Sequence, residues 1–372
     1  MHLKSLSLIN FKNYAQAEFT LTEGINCFVG RNGSGKTNVL DAVHYLSMCK
    51  SYLNPVDKQN IRFDEQFFVV QGWWDEEGRE TEIYCGVKAG AKKIFKKNKS
   101  EYEKLADHIG AFPTVIISPY DRDLIAEGSE VRRRWMDGII SQFDRSYLDY
   151  LVRYGKILEQ RNALLKRFYE NGFFERENLE VWDAQLAIAG TEIYKRRKAF
   201  LEEFIPVFQS YYQFIGEETE VVKLEYKSAL NECSFDELLV NNLRKDGQAQ
   251  YTTGGTHKDD LIFTIKEHPV KKFGSQGQQK SFLIALRLAQ FDWLKKHLHK
   301  KPILMLDDIF DKLDHQRVEK LMSLVSDHVF GQVLVTDTEA ARVKTIFDTI
   351  QMDFTLFEID TLNTTLNPVV YE

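Results

Sequence analysis

A glycine-rich loop lies between a short apolar segment and a segment with helical periodicity. Gly30 to Thr37 read Gly-Arg-Asn-Gly-Ser-Gly-Lys-Thr, which fits the pattern G-x-x-x-x-G-K-[ST]. The preceding Ile25-Asn26-Cys27-Phe28-Val29 predicts a buried strand, and apolar residues then recur at helical spacing, namely Val39, Leu40, Val43 and Leu46. A strand, a loop of this pattern and a helix in this order predict an α/β fold built around a phosphate-binding loop.

The residues of this loop suit a nucleoside triphosphate and its metal ion. The glycines let the backbone turn successive N–H groups onto phosphate oxygens, and the following helix adds the positive end of its dipole. Lys36 can reach the β- and γ-phosphates, and the Thr37 hydroxyl suits Mg²⁺. We therefore predict nucleotide binding by Gly30, Arg31, Asn32, Gly33, Ser34, Gly35, Lys36 and Thr37.

An acidic pair follows a second apolar segment. Leu304-Met305-Leu306 predicts a buried strand, and Asp307 and Asp308 come directly after it. Asp307 would bind Mg²⁺ beside Thr37, directly or through water, and Asp308 would orient and deprotonate the attacking water. We therefore assign catalysis to Asp308 and Lys36, and metal binding to Thr37 and Asp307. Because aspartate is one methylene shorter than glutamate as a base, we expect slow hydrolysis, which suits a switch better than a motor.

A third segment narrows the class of nucleotide-binding protein. Gly274-Ser275-Gln276-Gly277-Gln278-Gln279-Lys280 precedes a predicted helix from Ser281 to about Leu298, and Ser275 lies 32 positions before Asp307. In ATP-binding-cassette proteins, a serine and a glycine at such a helix start bind the nucleotide held by another protomer. We assign this signature role to Ser275, Gln276, Gly277 and Gln278, acting in trans. Two chains would then sandwich two nucleotides in an ATP-dependent homodimer.

Strand patterns flank a helical region. Phe67 to Trp74 and Thr81 to Val87, separated by Asp75-Glu76-Glu77-Gly78, predict a hairpin that continues into a lysine-rich stretch. Between residues 121 and 218, two apolar stripes predict a pair of antiparallel helices that turn around Asn171-Gly172. We predict a nucleotide-binding domain in two segments, 1–120 and 219–372, with a helical arm at 121–218 inserted between them.

The net charge of −6 offers no bulk attraction to nucleic acid, so contacts with DNA must come from local basic patches. Residues 85–104 hold seven lysines against two glutamates, and two further runs are Arg132-Arg133-Arg134 and Lys195-Arg196-Arg197-Lys198. Each patch taken alone is equally well explained as a solvated face. The first patch, doubled in a dimer, predicts DNA contacts at Lys92, Lys93, Lys96 and Lys97.

Four scattered cysteines and the absence of a long apolar run predict a cytoplasmic protein that does not contact membranes. No Cys-x-x-Cys pair is present, which disfavours a structural zinc site.

Several motifs, in order, resemble those of the RecF family of bacterial recombination-repair ATPases, which is related to SMC heads. They cover nearly the whole chain: Asn10-Phe11-Lys12-Asn13-Tyr14, the phosphate loop with Asn38, Ser118-Pro119-Tyr120-Asp121, Gly128 to Asp137, Gln160 to Lys166, Gly255 to Asp260, and Ser275 to Gln279. Departures are mild at Thr256 and Lys258, where the family has proline and arginine. Asp311-Lys312-Leu313-Asp314 stands where S-E-L-D is usual, and no histidine follows Thr336-Asp337-Thr338.

The resemblance implies an α/β fold: an ABC-type, SMC-like P-loop ATPase head with a mixed β-sheet, a β-hairpin subdomain and an inserted helical arm. It implies ATP and Mg²⁺ as cofactors, Asn38 as a nucleotide-binding residue and Asp314 as the D-loop residue between protomers. It also implies an ATP-driven, DNA-stimulated dimer in DNA repair that binds double-stranded and gapped DNA. A RecR-type mediator protein would be its direct partner, and RecA recombinase an indirect one.

Other classes share some of these features. A transporter ATPase places its signature much closer to the phosphate loop than the 239 positions between Lys36 and Ser275. An SMC-like chromosomal clamp needs an arm far longer than residues 121–218, and a fused nuclease has no room for its acidic domain after residue 314. A DNA-binding scaffold that does not hydrolyse nucleotide is the main non-enzymatic alternative, and Lys36, Thr37, Asp307 and Asp308 argue against it.

Overall fold

The structure is a computed structural model that describes residues 1–216, 220–310, 315–326, 329–360 and 369–371. Contacts within the chain separate two compact units. The first unit comprises Met1–Asp121, Phe214–Gly216 and Lys280–Glu372, and the second comprises Arg122–Gln213 and Glu217–Gln279. Among the described residues, no helix combines the length and the apolar character that a membrane span requires.

The described residues form fifteen strands and ten α-helices, with short 3₁₀ turns between some of them. The strands are β1 (His2–Phe11), β2 (Tyr14–Thr20), β3 (Ile25–Val29), β4 (Phe67–Glu76), β5 (Arg79–Lys88), β6 (Ile94–Lys97), β7 (Ser100–Glu101), β8 (Thr114–Ile117), β9 (Val222–Lys227), β10 (Asp260–Ile265), β11 (His268–Pro269), β12 (Ile303–Asp307), β13 (Val333–Asp337), β14 (Phe354–Glu358) and β15 (Val369–Tyr371). The helices are α1 (Lys36–Met48), α2 (Asp123–Ala126), α3 (Ser129–Phe143), α4 (Arg145–Asn171), α5 (Arg176–Ile215), α6 (Phe235–Ala249), α7 (Val270–Phe273), α8 (Gln276–Leu298), α9 (His315–Ser326) and α10 (Ala340–Thr349). Short 3₁₀ turns are at Asp57–Asn60, Leu105–Asp107, Pro119–Arg122, Ala229–Asn231 and Thr256–Lys258.

The first unit contains a six-stranded sheet in the order β15-β14-β3-β13-β12-β8, parallel except for the antiparallel pair β14 and β15. All residues of β3, β12 and β13 are buried. Continuous apolar runs are typical of parallel strands covered on both faces, and such runs in the sequence predict β3 and β12. Parallel strands end at the same edge, so the loop after β3 and the acidic pair at the end of β12 lie at one edge of the sheet.

A second, antiparallel sheet of the first unit has the order β2-β1-β4-β5-β6-β7. The predicted hairpin is confirmed as β4 and β5, which pair from Phe67↔Lys88 to Glu76↔Arg79. Helix α1 contacts β4 and β5 of this sheet and β12 and β13 of the parallel sheet. Its buried residues therefore surround much of the helix, and the two sheets fix the position of α1 and of the loop at its start.

The second unit is mainly helical and carries the small sheet β11-β10-β9. The two predicted arm helices are confirmed as α4, of 27 residues, and α5, of 40 residues. Gly172 ends α4 with a φ of 64°, a left-handed conformation that glycine adopts without strain. Pro206 lies inside α5.

Two boundaries differ from the predictions. Residues 220–279 cluster with the helical unit and not with the nucleotide-binding segments, because β10 contacts α3 and α6 contacts α4. Helix α8 begins at Gln276, five residues before the predicted start at Ser281, because Ser275 caps it. The signature residues Gln276, Gly277 and Gln278 therefore form the first turn of the helix.

His108 is fully buried in the core of the first unit. Its Nε2 lies 2.6 Å from the carbonyl oxygen of Leu46, and its Nδ1 lies 3.0 Å from the hydroxyl of Tyr102. Burial lowers the pKa of His108 to about 4, and the nearby Lys97 ammonium adds to the shift. The folded protein therefore holds this imidazole in its neutral form.

We expect this histidine to make stability depend on pH. The unfolded imidazole takes up a proton below its ordinary pKa of about 6.5, whereas the folded one does so only near 4, so stability is lost as pH falls between these values. From pH 7 to pH 5 the loss for His108 should be about 2 kcal/mol. Urea unfolding of His108→Phe should show a shallower pH dependence over this range. The exposed-site control His299→Asn should retain the wild-type slope, and equal slopes in all three proteins would contradict the prediction.

Candidate nucleotide-binding site

The phosphate loop connects the buried strand β3 to helix α1. Gly33 and Gly35 have φ values of 81° and 113°, which side chains with a Cβ rarely adopt. A Cβ at Gly35 would also lie 2.5 Å from the Nδ2 atom of Asn13. Glycine is therefore required at these positions by the backbone conformation, as the sequence pattern predicts.

Lys36 is buried at the first residue of α1. Its ammonium donates hydrogen bonds to the carbonyl oxygens of Gly30 and Arg31, at 2.8 and 3.0 Å. Burial lowers the pKa of Lys36, while the carboxylates of Asp308, Asp307 and Asp337 oppose the shift. The charge is thus held at the loop, where phosphate oxygens would offer it stronger, charge-assisted hydrogen bonds than neutral carbonyls do.

The predicted pair of Thr37 and Asp307 is brought together. The Thr37 hydroxyl donates to Oδ1 of Asp307 at 2.8 Å, and the Thr336 hydroxyl of β13 donates to the same oxygen at 2.8 Å. Burial raises the pKa of Asp307, and the hydrogen bonds from Thr336 and Thr37 oppose that shift. A nearby cation would compensate this buried carboxylate better than two hydroxyls do.

Asp308 follows Asp307 in a left-handed conformation with a φ of 49°. Its amide N–H lies 2.9 Å from the Thr336 hydroxyl, and its Oδ1 is buried with no hydrogen-bond partner among the described residues. A buried carboxylate oxygen without a donor is costly, and such groups are concentrated at functional sites. The chemistry of these residues fits Mg²⁺, which prefers oxygen ligands and is commonly bound by one or two carboxylates together with substrate phosphates.

Two residues that sequence analysis did not assign to the site donate hydrogen bonds to the carbonyl oxygens of the phosphate loop. Asn13 donates from Nδ2 to the carbonyl oxygen of Ser34 at 2.8 Å and accepts from Nδ2 of Asn38 at 2.7 Å. The buried Tyr14 donates its hydroxyl to the carbonyl oxygen of Gly35 at 3.2 Å. In the sequence these two residues belong to the motif from Asn10 to Tyr14, and nothing local to that motif indicates contact with residues 21 positions later.

The signature residues belong to the second unit. Ser275 accepts from the backbone N–H of Gln278 at 3.2 Å, and its own N–H donates to Oε1 of Gln278 at 2.7 Å. This reciprocal pair is a capping box at the start of α8. Ser275 and Gln276 are exposed, and the first turn of α8 carries no acidic residue, so the helix start is open to an anion. The predicted D-loop residue Asp314 lies outside the described residues.

The lysine-rich stretch runs from the end of β5 through β6 and β7, at one edge of the antiparallel sheet. Lys92 and Lys97 are exposed, and Lys96 is half-buried with its ammonium 5.8 Å from the centre of the Tyr84 ring. Lys93 differs, since its ammonium is bound by Asp57 at 2.9 Å and by the carbonyl oxygen of Cys49 at 2.7 Å. The structure therefore corrects the predicted patch, because Lys93 is engaged at the end of α1 and not presented to DNA.

The two other basic runs are largely used inside the second unit. Arg132 forms a two-pronged ion pair with Asp260, at 2.7 and 3.0 Å, and Arg133 donates to the carbonyl oxygen of Asp259. Arg197 is buried against Asp137 and Asp259. These motif residues therefore hold the helices to the small sheet.

The chain matches the family model described as RecF/RecN/SMC N terminal domain over residues 2–355. This match and the fold define an ATPase head of the SMC-like, ABC-type class. The Smc head domain from Pyrococcus furiosus has a TM-score of 0.57 at 16% identity, covering 100% of this chain and 96% of that one, a likeness of fold alone.

Relatives of higher identity narrow the family. The DNA replication and repair protein RecF of Flavobacterium johnsoniae is 50% identical over 359 residues, which are 96% of this chain and 100% of the relative. A solved structure of the recombination mediator protein RecF-ATP in the RecFOR pathway has a TM-score of 0.89 at 28% identity, covering 99% of this chain and 97% of that one. The chain belongs to the RecF family.

Replacement of Asn13 by alanine should weaken nucleotide binding. Without its hydrogen bonds to Ser34 and Asn38, the loop must be ordered by the ligand, which should raise the Kd for Mg-ATP about tenfold. Because Asn13 is exposed, Tm should change little. Isothermal titration calorimetry would measure the Kd, with the exposed Gln16→Ala as the control. An unchanged Kd for Asn13→Ala would show that the loop needs no such support.

Proposed function

We propose that the protein is an ATP-dependent DNA-binding protein of recombinational repair and replication-fork maintenance. ATP joins two chains into a homodimer that binds double-stranded and gapped DNA, and hydrolysis separates them. The dimer helps a RecR-type mediator to load RecA recombinase. The proposal is supported by membership of the RecF family, by relatives named for DNA replication and repair, and by a related structure named for ATP and the RecFOR pathway. A cytoplasmic location stays a prediction.

One observation carries the enzymatic part of the proposal: the hydrogen bond of Thr37 to the buried Asp307, beside the unpartnered Oδ1 of Asp308. A scaffold that never hydrolyses nucleotide has no need of a buried carboxylate oxygen without a donor. Among the described residues, that oxygen is a buried acceptor free to hold a water molecule and take its proton.

Each residue then has a defined part in the reaction. The loop amides and Lys36 bind and orient the phosphates, and Thr37 and Asp307 hold Mg²⁺, which supplies charge neutralisation when bound. Asp308 positions the attacking water and accepts its proton. The exposed Ser275 at the start of α8 contacts the γ-phosphate held by the other protomer. We propose that hydrolysis is slow and DNA-stimulated, so that ATP acts as a switch.

Asp308→Asn should separate binding from hydrolysis. Asparagine keeps the size of the side chain but cannot accept the proton, so kcat should fall at least about a hundredfold while the Kd for ATP changes little. The ATP-dependent dimer should accordingly persist longer in sedimentation experiments. Lys36→Ala is the matched control, since it should abolish nucleotide binding and therefore dimerisation. Normal hydrolysis by Asp308→Asn would assign the base to another residue.

DNA binding is proposed to use the exposed lysines of the sheet edge. Lys92→Glu with Lys97→Glu should lower affinity for gapped duplex DNA, and the slope of log K against log salt should shrink by about 0.9 for each lost phosphate contact. Lys195→Glu with Lys198→Glu is the matched control, because both lysines are exposed on α5. ATP binding should be unchanged in both double variants, as measured by calorimetry. If only the Lys195→Glu, Lys198→Glu variant lost affinity, the result would contradict the proposal and would indicate that DNA binds at α5.

A further inference from the structure

A buried glutamate, Glu220, contacts the signature residue Gln278. Glu220 is 6% exposed, and its two carboxylate oxygens accept separate hydrogen bonds. Oε1 accepts from the side-chain amide of Gln278, and Oε2 accepts from the hydroxyl of the fully buried Tyr212 at 2.7 Å. Burying a carboxylate is unfavourable unless it is hydrogen-bonded or paired with a cation, and here the two hydrogen bonds meet that need together with the Lys266 ammonium, 4.0 Å from Oε1.

The carboxylate fixes the orientation of the Gln278 amide. An ionised carboxylate only accepts hydrogen bonds, so it requires the NH₂ group of Gln278 on its side. The other end of the amide, Oε1, is thereby turned toward the backbone N–H of Ser275, which it binds at 2.7 Å. With the amide reversed, an NH₂ group would face this N–H, and both contacts would be lost.

This chain of contacts also determines how the Ser275 hydroxyl can act. Its oxygen accepts from the backbone N–H of Gln278 at 3.2 Å, and no acceptor among the described residues takes its hydrogen. The hydroxyl can therefore donate outward from an exposed position at a helix start that carries no acidic residue. Such a donor matches an oxygen of a phosphate group.

We propose that Glu220 is a positioning residue for the composite nucleotide site, acting through Gln278 on Ser275. It keeps the signature serine ready to donate to the γ-phosphate held by the other protomer, so that pairing does not require the helix start to reorganise. This inference rests on the proposed function, since it assumes that ATP joins two chains through Ser275. Glu220 makes no contact with nucleotide itself in this scheme.

Glu220→Leu should weaken ATP-dependent pairing and leave the binding of nucleotide to the single chain unaffected. Loss of the oriented Ser275 donor should weaken each composite site about tenfold. The dimer Kd should therefore rise about a hundredfold, because a symmetric dimer has two such sites. The Kd of the monomer for ATPγS should stay as in wild type, because the phosphate loop is intact. Glu220→Gln, whose carbonyl can still accept from Gln278, should recover most of the pairing. Sedimentation velocity with ATPγS measures the dimer Kd, and calorimetry measures the monomer Kd.

Controls separate the possible failures. Ser275→Arg gives the benchmark for lost pairing, and Glu267→Leu is a matched substitution of an exposed glutamate in the same unit. If Glu220→Leu does not fold, Tyr212→Phe is the deciding variant, since it removes the hydroxyl that donates to Oε2 of Glu220 and should raise the dimer Kd about threefold. Wild-type dimerisation by Glu220→Leu, or by Tyr212→Phe in its place, would overturn this inference alone. Failure of the wild type to pair with ATPγS would overturn the proposed function.

Discussion

The arrangement of the first unit depends on one constraint, the hydrogen bonds that two hydroxyls donate to the buried carboxylate of Asp307. Thr37 reaches Asp307 from the start of α1, and Thr336 reaches it from β13. The register of the parallel sheet pairs Asp307 with Thr336, so the strands place the acid beside the loop. Burial of the carboxylate opposes its charge, and the hydroxyls relieve only part of that penalty. The site is thereby built to gain free energy from a cation.

The parts of this arrangement that sequence predicts are those encoded locally. Continuous apolar runs indicate the buried strands β3, β12 and β13. Patterns within one segment likewise indicate the hairpin of β4 and β5 and the two long helices. The predicted start of α8 is five residues too late, although Ser275 and Gln278 have the spacing of a capping box. Gly277 obscures that signal, because glycine is unfavourable in a helix interior.

Contacts between distant residues could not be predicted in the same way. Arg132 and Asp260 are 128 positions apart, and Arg197 and Asp137 are 60 apart, so the arginine runs gave no sign of their partners. Their charges are therefore used in the packing of the second unit. Lys93 is a similar case, since Asp57 lies 36 positions before it. A basic run in sequence indicates a nucleic-acid surface only after the internal ion pairs have been subtracted, which in this chain leaves Lys92 and Lys97 as the exposed members of the predicted set.

The hydrogen bonds of each half of the proposed composite site lie within its own unit. Asn13 and Tyr14 support the phosphate loop in the first unit, and Glu220 and Tyr212 support Ser275 in the second. Support of this kind lowers the ordering cost that a ligand must overcome. Binding of ATP to one chain and pairing of two chains should then be separable in free energy, each limited by its own set of contacts. The proposed switch needs this separation, because in that scheme the nucleotide binds a single chain before it joins two.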